Sequence, residues 1–337
     1  MAESKELLHD QYANILRAYL EEQSEQGLYY AQQFSKRVLE EQISPEEVVS
    51  LHLEVLEEFF PDLPKGAHES FELLLEVMMG YGLAYREHQS LRDKTKELEA
   101  EINVAANMQQ TFLPDEIPHV NGLDVGVLSV PASKMSGDYY HFVKDDHDCV
   151  GLAIADIIGK GIPAALCMSM IKYTMDSYPE QRLQPGALLE NVNRVVEQNI
   201  ASNMFITMMY GSYDSRTHQF NYAGAGHEPG FYYKAAEDTF EELHAKGIVL
   251  GIKRNTDYKE YQLTVEPGDF VVLLSDGVTE CRTDDGFIER EAITRLIRTY
   301  QHLPAQEIVN HVFYELERAQ GFQLRDDFTL IILRRNV

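Results

Sequence analysis

Residues Cys149–Gly161 read CVGLAIADIIGKG: an apolar run, an aspartate at its end, then a lysine between two glycines. A short run of this kind reads as a strand buried on both faces, with Asp156 carried to the strand end. The pattern recurs. Phe270–Leu274 runs into Ser275-Asp276-Gly277-Val278, and Arg325-Asp326-Asp327 leads into the apolar run Phe328–Leu333. Gly137-Asp138-Tyr139-Tyr140 opens another strand, Leu123–Val130 alternates, and Phe205–Tyr210 is apolar. Helical stretches lie between them at Pro163–Ser177, Gly186–Asn199, Glu291–Tyr300 and Ala305–Ala319. Strands in consecutive pairs joined by Asp214-Ser215 or Pro267-Gly268 predict mainly antiparallel sheets with helices outside them, an α+β domain rather than a βαβ alternation.

The four aspartates Asp138, Asp156, Asp276 and Asp326 share one setting: a strand end beside glycine or a small polar residue. Strand ends on one sheet edge bring distant carboxylates together. Several carboxylates in one place repel unless a cation joins them. Hard oxygen donors with no accompanying histidine pair favour Mg²⁺ or Mn²⁺ over zinc or copper. Two such ions activate water for in-line attack on phosphorus. Each motif alone is weak, since Asp276-Gly277 and Asp326-Asp327 are also ordinary turn formers. The set of four in this order is the signal.

Other chemistries fit less well. Gly159-Lys160-Gly161 lacks the Ser or Thr after the lysine, and Ile154 stands where the first glycine belongs, so a Walker nucleotide loop is excluded. His227, in Gly224-Ala225-Gly226-His227-Glu228-Pro229, reads as a supporting residue at a tight strand bend, because no serine or cysteine nucleophile motif accompanies it. The three cysteines, Cys149, Cys167 and Cys281, form neither a disulfide framework nor a zinc knuckle. A net charge of −26 excludes nucleic acid as a natural partner. No apolar run approaches the ~20 residues of a membrane helix, and Met1–Gln11 has no signal-peptide layout. A cytoplasmic protein without a membrane partner is expected.

At 337 residues the chain predicts about two domains. Residues 1–90 read as four helices. Tyr12, Ile15, Leu16 and Tyr19 keep helical spacing, Ser44-Pro45-Glu46-Glu47 is a helix start, and Pro61 and Pro64 end that helix at Phe60. A further helix opens near His68. This segment holds 18 acidic against 6 basic residues and no catalytic cluster, so it is assigned to partner binding and dimerisation. Residues 91–119 read as a helical linker closed by Pro114 and Pro118. Leu91, Leu98, Ala105 and Phe112 recur every seven residues, the spacing of a dimeric coiled coil, which a surface helix packed on its own domain also shows. Residues 120–337 form the catalytic domain.

The motifs Gly137-Asp138-Tyr139-Tyr140, Asp156–Gly161, Ala225-Gly226-His227, Ser275-Asp276-Gly277-Val278-Thr279-Glu280 and Asp326-Asp327-Phe328-Thr329 together resemble the SpoIIE-type branch of the PP2C-like (PPM) phosphatases. The resemblance covers roughly residues 120–337, and the acidic helical segment plus linker resembles the stress-response members of that branch. It implies an α-β-β-α sandwich and two Mn²⁺ or Mg²⁺ ions. Asp156 would bridge both ions, Asp138 would lie near one, Asp276 and Asp326 would hold the first, and the Ile157 carbonyl would ligate. Asp327 is the alternative to Asp326. The implied substrate is a phosphoserine on an anti-anti-sigma factor, whose dephosphorylation releases a sigma factor, and a kinase-like switch protein would activate the enzyme through residues 1–90. One departure stands out: no arginine precedes Asp138 to hold phosphate, and Lys134 is the nearest cation there. Two rival readings are a two-metal phosphodiesterase, which the lack of a nucleotide loop disfavours, and a catalytically silent scaffold, which the presence of all four aspartates disfavours.

Overall fold

The computed structural model describes residues 2–144, 149–177, 184–200, 204–283 and 286–336. The chain divides into two compact units, Met1–Glu99 and Ala100–Val337.

The first unit is helical: α1 (Ala2–Glu22), α2 (Glu25–Glu40), α3 (Pro45–Phe59) and the start of α4 (Lys65–Gln110). The helix starts are written locally. Ser24 accepts a hydrogen bond from the Gly27 amide at α2. At α3, Ser44 and Glu47 form a capping box with Pro45 in the first turn. Leu8, Ala13, Phe34, Val38, Leu51 and Val55 make the small core of this unit. No helix among the described residues is long and apolar enough to cross a membrane.

Helix α4 runs unbroken from Lys65 to Gln110, through the position where the sequence suggests a linker begins. No proline interrupts it, and Gly80 and Gly82 are tolerated within it. The heptad positions divide. Leu91 and Leu98 are exposed. Phe112 is buried in the core of the second unit, with Ala105, Ala106 and Leu113 packed against that core.

The second unit holds two five-stranded antiparallel sheets. One has the order β1 (Leu123–Val130), β12 (Phe328–Arg335), β9 (Phe270–Leu274), β6 (Gly230–Lys234), β7 (Thr239–Leu243). The other has the order β2 (Asp138–Lys144), β3 (Cys149–Ile157), β4 (Ile206–Asp214), β5 (Gln219–Ala225), β8 (Tyr261–Thr264). Period-2 alternation sorts each central strand between two cores. On β12, Leu330 and Ile332 pack toward α8 (Arg290–Tyr300) and α9 (Ala305–Ala319). Ile331 and Leu333 instead enter the layer between the sheets. On β3, Ala153, Ala155 and Ile157 face α5 (Ile162–Asp176) and α6 (Pro185–Asn199), while Leu152 and Ile154 face the other sheet. Three cores stacked in this way make the α-β-β-α sandwich expected for the catalytic domain. A short helix α7 (Asp276–Thr279) and a two-stranded ribbon, β10 (Arg282–Thr283) with β11 (Gly286–Phe287), complete the described elements.

Candidate metal centre

The sandwich brings the predicted aspartates to one end of the inter-sheet layer. Asp138 opens β2 and lies directly opposite Asp156 in the β2–β3 register. Paired residues across an antiparallel ladder share a face, and here it is the face that carries Leu152 and Ile154 toward the second sheet. On that sheet β9 and β12 are antiparallel neighbours. Asp276, just past the end of β9, therefore meets Asp326 and Asp327, just before the start of β12. The Ser275 amide donates to the Thr329 carbonyl at 3.0 Å and ties the two ends.

Burial and crowding set the electrostatics. Asp138 is 2% exposed and its Oδ2 is buried with no hydrogen-bond partner. Burial pushes its pKa well above the ordinary value, the nearby Ser275 and Thr329 hydroxyls offset part of this, and Asp156 and Asp327 add to it. Asp156 is raised to about 6, first by burial and then by the charges of Asp276, Asp326 and Asp327. Asp276 is raised by burial, Asp326 and Glu280. An orphaned buried carboxylate oxygen and mutual repulsion among hard oxygen donors are what a divalent cation would relieve. The backbone leaves room for it. At Gly137 an added Cβ would sit 3.1 Å from the Ile157 carbonyl and 3.2 Å from Asp156 Oδ1, so the missing side chain keeps those two oxygens open. Among the described residues no group of three or more His, Cys, Asp or Glu side chains is placed so that it could hold a metal ion as it stands.

Asp326 and Asp327 separate by what holds them. Asp327 is buried, and its two oxygens accept the amides of Ala132 at 2.7 Å and Gly137 at 2.6 Å. It is engaged in clamping the turn before Asp138. Asp326 is 45% exposed at its side chain and accepts Lys160 Nζ at 2.9 Å. Of the two, Asp326 is the more exposed, and among the described residues its Oδ1 is held only by Lys160 and the Asp327 amide. Lys134 is exposed and makes no hydrogen bond or ion pair among the described residues.

Two supporting residues, Gln109 and Lys160, were not legible as such in the sequence. Gln109, in the last turn of α4, exchanges two hydrogen bonds with the Ser136 backbone. Lys160 reaches Asp326 across a separation of 166 residues. His227 joins the sheets: Nδ1 lies 2.9 Å from Thr207 Oγ1 on β4, opposite Asp156. Its Nε2 faces the Leu274 carbonyl on β9 without a well-formed hydrogen bond. Burial lowers its pKa to about 4, which keeps it neutral. The supporting role expected for His227 fits these contacts.

A family model described as stage II sporulation protein E (SpoIIE) matches residues 146–336, a stretch that contains Asp156, Asp276 and Asp326. The chain belongs to the SpoIIE family of PP2C-like phosphatases. A second model, the N-terminal domain of phosphoserine phosphatase RsbU, matches residues 10–84 of this SpoIIE-family chain. The phosphoserine phosphatase RsbU of Bacillus subtilis is 54% identical over 333 residues, covering 99% of both chains. Among solved structures, the SiaA PP2C domain of Pseudomonas aeruginosa superposes with a TM-score of 0.63 at 20% identity, covering 72% of this chain and 98% of that one. The PP2C phosphatase domain of Bacillus subtilis SpoIIE, with a fragment of its regulatory domain, gives 0.56 at 17% identity, covering 81% and 99%. Both support the fold. This SpoIIE-family chain is an RsbU-type phosphoserine phosphatase, and phosphatases of its family depend on metal ions.

Proposed function

We propose that this phosphatase uses two Mn²⁺ or Mg²⁺ ions, held by Asp138, Asp156, Asp276, Asp326 and the Ile157 carbonyl, to dephosphorylate a phosphoserine on an anti-anti-sigma factor. The observation that carries the site is the meeting of Asp138 and Asp156 from one sheet with Asp276 and Asp326 from the other, with Asp138 Oδ2 buried and unpartnered. The bound ions would supply the activated water and the charge compensation at the phosphoryl group. The chain's own residues do the positioning. The β2–β3 ladder sets the Asp138–Asp156 pair, Asp327 clamps Ala132 and Gly137, and Ser275 ties β9 to β12. Both sheets are buried on two faces, so the carboxylates cannot relax apart without breaking the packing.

We assign residues 1–90 to binding a kinase-like switch protein and to dimerisation, 91–119 to a linker that passes the signal on, and 120–337 to catalysis, in a cytoplasmic enzyme. The helical unit leaves Leu28, Tyr29, Leu73, Val77, Tyr81 and Leu83 exposed. It also holds an open, mainly apolar groove of about 450 Å³ lined by Phe34, Val38, Leu39 and Tyr85. Such surface on a small helical unit suits a protein partner. The B. subtilis relative is named a phosphoserine phosphatase, which supports phosphoserine as the substrate group. The test is phosphate release from a phosphoserine protein with Mn²⁺ or with chelator, with and without the switch protein. Release that needs metal and is lost in Asp276→Asn is expected. Release that survives chelation would overturn the metal reading.

A further inference from the structure

A phosphoserine dianion that enters this site meets Asp138, Asp156, Asp276, Asp326 and Asp327, and Asp276 also feels Glu228 and Glu280. An added dianion needs positive charge beyond what the carboxylates already claim. The arginine that could precede Asp138 is absent, and neither Lys134 nor Arg325 makes a hydrogen bond or ion pair among the described residues. Lys160 is different. Its Nζ donates to Asp326 Oδ1 at 2.9 Å, and it also feels the charges of Asp156 and Asp327. Both partners stay about half exposed, 50% for Lys160 and 45% for Asp326, so the contact faces solvent.

The loop that carries Lys160 is built to present it. Gly159 has φ +103° and Gly161 has φ +85°, values that L side chains rarely adopt. The two glycines bend the chain sharply between the end of β3 and the start of α5. Lys160 stands at the crest, four residues after Asp156. An ammonium on a flexible stem there swings between two anions at little cost, and Lys binds phosphate as a point charge.

We propose that Lys160 is the phosphate-binding cation of this site. It rests on Asp326 while that carboxylate lacks a metal ion and passes to a phosphoryl oxygen once the ion takes Asp326. The proposal rests on the reading of Asp326 as a metal ligand. It makes Lys160 a competitor of the metal and a partner of the substrate, two roles that respond in opposite directions to its removal.

The test uses the full chain and two readouts. The first is Mn²⁺ affinity by calorimetry. The second is turnover of p-nitrophenyl phosphate, with inhibition by inorganic phosphate. In Lys160→Ala, Mn²⁺ binds as tightly as in wild type or more tightly. KM and the phosphate inhibition constant rise about tenfold or more, the range for losing one charge-assisted hydrogen bond. Lys160→Arg recovers most of the phosphate affinity. An unchanged KM and inhibition constant in Lys160→Ala would overturn the proposal, and so would a loss of Mn²⁺ binding in that variant, which would make Lys160 a support of the metal cage instead. Unchanged Mn²⁺ affinity in Asp326→Asn would overturn the metal-ligand reading, and the proposal with it.

Discussion

Gln109 and Ser136 hold each other by a reciprocal pair of hydrogen bonds. The Gln109 Nε2 donates to the Ser136 carbonyl at 2.8 Å, and the Ser136 amide donates to Gln109 Oε1 at 3.0 Å. Ser136 Oγ in turn accepts the Asp138 amide at 3.0 Å. The last turn of α4 is thus linked through Ser136 to the backbone amide of Asp138, the residue that opens β2. Gln109 is 5% exposed and Ser136 is half-buried, so removing the Gln109 amide leaves the Ser136 N–H and carbonyl without these partners. Gln109→Ala should cost roughly 2–4 kcal/mol and raise the Mn²⁺ concentration needed for half-maximal turnover. Thermal denaturation and a Mn²⁺ titration check both. A variant with normal Mn²⁺ dependence would show that this clamp does not position Asp138.

Neighbouring Asp326 and Asp327 should fail in different ways. Asp326→Asn keeps the fold, because its carboxylate holds only Lys160 and the Asp327 amide; it should lose the stabilisation that Mn²⁺ confers. Asp327→Asn weakens the clamp on Ala132 and Gly137 and should lower metal-free stability by about 2 kcal/mol. Melting curves with and without Mn²⁺ separate the two. Equal behaviour of both variants would contradict the division of labour.

His227 gives a pH signature. Its folded pKa is lowered by burial to about 4 from an ordinary 6.5. The unfolded chain therefore takes up the proton first on acidification. This group's contribution is fully present above about pH 6.5 and is lost progressively as pH falls toward 4, by up to roughly 3 kcal/mol. Urea unfolding between pH 7 and 4.5 on wild type and His227→Gln reads the difference. The variant should show a shallower loss, and parallel curves would rule out a buried neutral imidazole.

Gly277 has no room for a methyl group. An added Cβ would lie 2.0 Å from the Asp327 carbonyl oxygen, which is backbone and cannot swing away. Gly277→Ala should push α7 off β12, displace Asp276 and lower both melting temperature and Mn²⁺ affinity. Overpacking of this kind costs about 1–3 kcal/mol. Wild-type Mn²⁺ affinity in this variant would mean that Asp276 is not placed by the contact.

The linear chain by itself carried the four aspartates and the central strands and helices, but not the edge hairpin Gly230–Lys234 and Thr239–Leu243. Strands buried on both faces must be nearly all apolar, so Cys149–Ile154, Phe270–Leu274 and Phe328–Leu333 announced themselves, and each polar break in or beside such a run marked a strand end. Helix starts were equally local: Ser44, Pro45 and Glu47 contain their own capping instructions. Pairings between segments far apart in the chain are not written in any window of it. The register that sets Asp138 against Asp156, the turn of Asp327 toward Ala132 and Gly137, and the approach of Lys160 to Asp326 exist only after the sheets stack. The same holds for Gln109, whose partner Ser136 lies 27 residues further along the chain. The physical reason is that periodicity records which face of an element is buried, whereas the partner of a polar side chain is decided by which other element the packing brings within about 3 Å of it.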